Sequence, residues 1–187
     1  MPKSLVPRVE MEGFPEEIAK RLEPRVKRLG YLGEFFKCTV HQPAALAAFI
    51  DFTEEGKGAL PNRLVELIAL TVAGWTENAY ERNQHERLSV RLGFGRDWVA
   101  AVNTLAPDQE SVLGGEERRL QKLVLTVLGS HGKAAPTMFE DYVKEHGHEN
   151  GIAVLMVIGR YAVHGLIVNT LALAPPVPSI FEDGFTG

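Results

Sequence analysis

A single cysteine, Cys38, stands in a chain of 187 residues, so no intrachain disulfide can form and a reducing, cytoplasmic setting is expected. Free cysteine is among the most buried residue types, and Cys38 is expected to be a small core hydrophobe. No Lys/Arg-rich run occurs: the net charge of −4 is spread over mixed signs, which gives no footprint for nucleic acid. The opening MPKSLVPRVEMEGF lacks the apolar stretch of a secretory signal. Neither H-E-x-x-H nor Cys-x-x-Cys occurs, so a zinc site is not expected. His146 and His148 in EHGHEN read as a solvated helix end. A P-loop, a dinucleotide fingerprint and a Gly-x-Ser-x-Gly elbow are all missing, and no cofactor is expected.

What is present reads as an all-α protein. At 45% hydrophobic and 24% charged, the chain has the composition of one globular domain able to bury its own core. Apolar residues recur at helical spacing, and sustained period-two alternation is absent. Helices are predicted over 14–28 (broken or kinked at Pro24), 42–55, 62–74, 77–92, 97–105, 116–129, 137–146 and 151–173, with Thr76 as N-cap of the fourth. The Pro-rich end is expected to pack as an extended arm on this chain or a neighbour. ELIALTVAGW and QKLVLTVLGS suggest a degenerate internal repeat. In its second copy, the positions matching Glu81 and His85 fall near Pro136 and Glu140.

Gly151 to Ala174 is long and apolar enough to span a bilayer. Arg160, His164 and Asn169 interrupt it, however. An arginine near a bilayer centre costs about 2.5–3.5 kcal/mol even on the mildest scale. A buried helix is therefore expected, and no membrane partner.

The informative residues are polar ones on faces that should be apolar. Counting from Glu81, positions four, seven and eleven later are His85, Leu88 and Leu92, one face of a helix, with Asn78 close to that stripe. If this end of the helix faced water, the Glu–His pair would mean little. The neighbouring run LVELIALTVAGW is too apolar to stand in water, which argues that the pair points inward. Glu66 is the only charge between Arg63 and Glu77, and Arg160 the only formal charge from Gly151 to Leu173. A buried carboxylate must be paired or protonated, so Glu66 needs His85 or Arg160. A purely structural ion pair stays open beside a functional one. His41 and His164 are supporting groups or satisfied core histidines.

The stretch LPNRLVELIALTVAGWTENAYERNQHERLSVRLGF resembles the signature region of the carboxymuconolactone decarboxylase/AhpD-like superfamily, with YERNQHE similar to its Tyr-Glu-x-x-Gln-His form. GRYAVHGLIVNTLAL resembles the closing helix. The resemblance implies one AhpD-like domain over 1–187: a site-bearing half at 36–105, a second helical half at 116–173, and a tail at 174–187. In the hydroperoxidase branch, the two motif cysteines correspond here to Asn78 and Glu81, the histidine to His85 and the upstream acid to Glu66. Both thiols are gone. Glu81 and His85 match the Glu-x-x-x-His of the lactone decarboxylase branch. The resemblance thus implies a cofactor-independent lyase of aromatic-compound catabolism, acting on a small carboxylated lactone or related compound. His85, Glu81 and Glu66 would be catalytic; Asn78, Tyr80, Trp75, Arg160 and His164 would shape the pocket or bind substrate. It also implies a homo-oligomer: dimer, trimer or hexamer. The alternatives are a catalytically retired binding or scaffold member, and a hydroperoxide-handling protein.

Overall fold

The computed structural model describes residues 5–182 and 185. After a 3-10 turn at Met11–Gly13 come α1 (Glu16–Leu29), α2 (Glu34–Thr39), α3 (Pro43–Gly58), α4 (Asn62–Trp75), α5 (Ala79–Arg91), α6 (Arg96–Asn103), α7 (Gly115–Ser130) and α8 (Pro136–Thr170). No strand occurs among the described residues.

The most apolar helix becomes the central post. Leu64 to Ala73 of α4 are all buried, and α5, α6, α7 and α8 pack around them. One core therefore runs through both predicted halves, from Leu60 to Ile180. The two repeat-like runs fall on α4 and α7, which pack against each other. Glu140, at the position matched to His85, is exposed and pairs with Lys144. A second apolar cluster joins Ile18 and Leu22 of α1, Phe35 and Phe36 of α2, Ile50 of α3 and Val168 of α8. Cys38 lies buried in this cluster.

Several boundaries differ from expectation for local reasons. Pro24 lies inside α1, which continues to Leu29 and closes at Gly30 in the left-handed conformation. α2 was not anticipated, since six residues are too few to show a period. Thr76 does not cap α5: its hydroxyl donates back to the Val72 carbonyl at the end of α4, and Asn78 is the cap. The helices predicted at 137–146 and 151–173 form α8, joined at Gly147 (φ 86°, ψ 164°), a backbone region open almost only to glycine. That bend folds the first stretch back so tightly that a Cβ on Gly151 would lie 2.5 Å from Val143 Cγ2.

α8 is also the one described helix with the length and hydropathy of a membrane span, and 56% of its apolar window is buried in the fold. The tail straps this chain's own α5. The Asn83 amide donates to the Val177 carbonyl (2.9 Å) and Arg87 Nε to that of Pro178 (2.9 Å). Glu86, buried on α5, accepts from the Ser179 hydroxyl (2.5 Å) and the Ile180 N–H (3.1 Å).

Candidate functional site

Three helices deliver the buried ionisable groups to one place. α4 supplies Glu66, α5 supplies Glu81 and His85 one turn apart, and α8 supplies Arg160 and His164 one turn apart. All five are 3–6% exposed. The Asn78 side chain accepts from the Glu81 N–H (3.2 Å), fixing the first turn of α5. A Cβ on Gly165 would lie 3.2 Å from Thr76 Oγ1 and 3.4 Å from Asn78 Nδ2, so this glycine lets α8 close onto the α4–α5 turn.

His85 is held at both ring nitrogens. Nδ1 lies 2.7 Å from Glu66 Oε2, and Nε2 lies 3.0 Å from Glu81 Oε2. The open choice of partner for Glu66 is thereby decided: Glu66 pairs with His85, and Arg160 Nη1 approaches Glu81 Oε2 at 3.5 Å. The other Glu81 oxygen meets His164 Nε2 at 2.8 Å. The His164 ring stacks on Phe35 with centroids 4.0 Å apart, and the Tyr161 ring stands edge-on to His85 at 5.1 Å. Ser89 donates to Glu66 Oε2 at 3.4 Å.

This arrangement sets the protonation states. Burial opposes a charged Glu81, but His164, Arg160 and the hydrogen bonds from both histidines outweigh it and hold the carboxyl well below its usual range. Burial also opposes a charged His85, and here Glu66 and Glu81 overcome it, so the imidazole is raised above its ordinary value. His164 goes the other way. Burial lowers it, Glu81 only partly offsets this, and Arg160 and His85 add to the lowering. The site thus favours the charged form of His85, between Glu66 and Glu81, and the neutral form of His164, on the far oxygen.

These residues form one wall of a cleft of about 580 Å³. Glu66, Glu81, His85, Arg160, His164 and Tyr80 line it. The Tyr80 hydroxyl accepts from the Phe35 N–H (3.3 Å), with Gly33 so close that a Cβ there would lie 2.8 Å from the hydroxyl oxygen. Two expected pocket residues stand elsewhere. Trp75 is half exposed at the end of α4, against Gly129 of α7, because the last turn of α4 passes beyond the cleft. Asn78 is spent on capping α5 and does not line the cleft. The inward stripe of α5 also differs: it runs Glu81, His85, Ser89, with Ser89 fully buried, while Leu92 is 38% exposed at the cleft's edge. His41 is exposed beside the Pro7 carbonyl.

Sequence reasoning missed the other cations of the cleft. Arg25 and Arg28 of α1 and Lys57 of α3 face the cleft, joined by Arg87 and Arg91. Lys57 sits in EEGKG, which reads as an exposed loop; only the packing of α3 on α8 turns it inward. Burial, with Arg160 nearby, lowers its ammonium to about 8. No group of three or more His, Cys, Asp or Glu side chains among the described residues is arranged to hold a metal ion.

An all-helical bundle with a buried acid–imidazole–acid triad facing a cationic cleft is the class of protein defined so far. Among solved structures this architecture is AhpD-like. The chain superposes on the AhpD core of an uncharacterized peroxidase-related protein from Ralstonia eutropha JMP134 with a TM-score of 0.79 at 18% identity, covering 94% of this chain and 93% of that one. A protein of unknown function from Agrobacterium tumefaciens, a candidate AhpD antioxidant defence protein, matches with a TM-score of 0.68 at 20% identity over 75% and 96% of the two chains. The debrominase Bmp8 matches with a TM-score of 0.71 at 14% identity over 95% of each. No protein-family model and no curated protein matches the sequence.

Proposed function

We propose that the protein is a cofactor-independent acid/base enzyme, a decarboxylase or related isomerase or hydratase, acting on a small carboxylated lactone or aromatic-derived compound. The observation that carries this reading is His85 gripped by Glu66 and Glu81 on the wall of a cleft rich in cations. A fold shared with peroxidase-related and debrominating proteins hosts more than one chemistry, so the site has to carry the argument.

Decarboxylation breaks the bond between the carboxylate and its carbon and leaves the electron pair delocalised toward a carbonyl oxygen. Cations stabilise that developing oxyanion, and a proton then goes to carbon. His85 holds the proton as an imidazolium. Nδ1 is fixed by Glu66, whereas Glu81 has His164 and Arg160 as alternative partners and is free to release Nε2 to substrate. His85 is therefore the acid, Glu66 its anchor and Glu81 the movable partner. General acid–base residues contribute about 10²–10⁴-fold. His85→Gln is expected to remove that factor in absorbance assays with carboxylated lactones, with the far-UV helical signal unchanged. Turnover at the native rate in this variant sinks the assignment, and ligand binding without turnover in the native protein favours a retired, binding-only member.

We propose further that the partner is a second copy of the chain. Ile152, Met156, Val163 and Leu166 are each about half exposed or more along the outer side of α8, with Gly159 open between them. Their four-and-three spacing is a seam for another helix. A two-fold axis at Gly159 would set Ile152 of one copy on Leu166 of the other and Met156 on Ala162, a self-complementary pattern of the kind closed dimers use. Between Ile152 and Leu166 the exposed positions of α8 carry no charge.

A further inference from the structure

We propose that Lys57 and Arg160 together bind the carboxylate of the substrate at the inner wall of the cleft beside Glu81. The proposal rests on the acid/base reading for the nature of the reacting molecule and adds how that molecule is held. Both cations line the cleft and lie against one ring: Lys57 Nζ is 5.6 Å and the Arg160 guanidinium carbon 4.3 Å from the centroid of Tyr161. His85 packs on the same ring at 5.1 Å. An anion held by the two cations therefore lies within one small molecule's length of the imidazole.

Each cation lacks something that a carboxylate supplies. Arg160 is 5% exposed; its Nε donates to Thr53 Oγ1 at 3.2 Å, while Nη1 pairs with Glu81 Oε2 only at 3.5 Å and makes no hydrogen bond. A buried guanidinium N–H left unbonded is costly, and a planar two-oxygen acceptor suits its geometry. No carboxylate lies within ion-pairing distance of Lys57 among the described residues; the nearby Glu54 is taken by Arg25. The groups around Lys57 are Arg25 from α1, Glu54 from its own helix, Glu66 from α4, Glu81 and His85 from α5 and Arg160 from α8. Burial and Arg160 leave the ammonium at about 8, the mark of a cation short of a counter-ion. A neutral ligand gains nothing from this pair, whereas an organic carboxylate gains two charge-assisted contacts.

The test is calorimetric titration of the full chain with benzoate, benzamide and inorganic phosphate at fixed ionic strength. Benzoate should bind at least about tenfold more tightly than either of the others, and Lys57→Met should cost about tenfold or more. Lys57→Arg should stay within about threefold of native. Above about pH 8, binding must take up the proton Lys57 has lost, so affinity should fall by about tenfold per pH unit in the native protein and stay level in Lys57→Arg. Benzamide binding as well as benzoate, or an unchanged affinity in Lys57→Met, overturns the proposal; equal binding of phosphate overturns the carboxylate assignment. His85→Gln separates the two readings: benzoate binding within about threefold of native supports the subsite even where no lactone is turned over, an outcome that removes the enzymatic reading alone.

Discussion

His85 and His164 share the carboxylate of Glu81, one on each oxygen, and are shifted in opposite directions by what else each touches. His85 has a second carboxylate, Glu66, at Nδ1; His164 has Phe35 against its ring face and no partner at Nδ1. The same residue type one helix apart is therefore pushed toward its charged form in one case and toward its neutral form in the other.

The two histidines should accordingly pull stability in opposite directions on either side of the ordinary histidine range. His85 is raised in the fold, so its contribution is complete below the unfolded value of about 6.5 and fades as pH rises through its folded value. His164 is lowered, so the fold loses stability as pH drops below about 6.5; Glu81, held low, adds a second loss in stronger acid as it takes up a proton. Thermal melts across pH should show both limbs. His85→Gln should flatten the alkaline limb, and an unchanged alkaline limb would show that His85 is not charged in the fold.

Glu66 anchors the site from the central helix, so its loss should be felt in folding and turnover alike. Glu66→Ala leaves a buried imidazolium facing a hole, and breaking a buried pair costs about 3–5 kcal/mol. For a chain this size each kcal/mol lowers Tm by about 2–4 °C. Glu66→Gln keeps an acceptor for Nδ1 and should melt nearer to native, while lowering the histidine's basicity and shifting the pH profile of turnover to lower pH. A native Tm in Glu66→Gln would contradict a charged pair.

Gly147 is required by its backbone. At φ 86° and ψ 164° any side chain is strained, so Gly147→Ala should cost about 1–3 kcal/mol. Differential scanning calorimetry measures this directly. A native Tm in this variant would mean that α8 does not bend there.

The outer seam of α8 gives a simple association test. Leu166→Glu places a charge on a self-paired face and should shift the light-scattering mass to that of one chain. A native protein already of single-chain mass would sink the second-copy proposal. Arg160 and His164 sit on the same helix, so weakened turnover in the dissociated form is expected alongside.

The helical architecture was legible because its apolar residues repeat at helical spacing and because α4 is apolar all round. The inward turn of Glu81 and His85 was legible by neighbourhood: a helix beside LVELIALTVAGW has to present something to it. The errors have equally local causes. Leu88 and Leu92 looked like the continuing core stripe, yet Ser89 takes that place because its hydroxyl reaches Glu66. Arg25 lies far from the motif in sequence and Lys57 just ahead of it between two glycines, and no pattern brings helices α1 and α3 over the site. Trp75 looked like a pocket aromatic only because it is close in sequence.

The strap from Val177 to Ile180 has a practical corollary. Val177 walls the cleft while its carbonyl is held by Asn83 and the next residues are tied to Arg87 and Glu86, two and one positions away from His85. Trimming or loading the carboxyl end of this chain would tug on α5 itself. Affinity handles and fusion partners therefore belong at the other terminus, and a preparation tagged at the wrong one would report a distorted cleft in place of the native one.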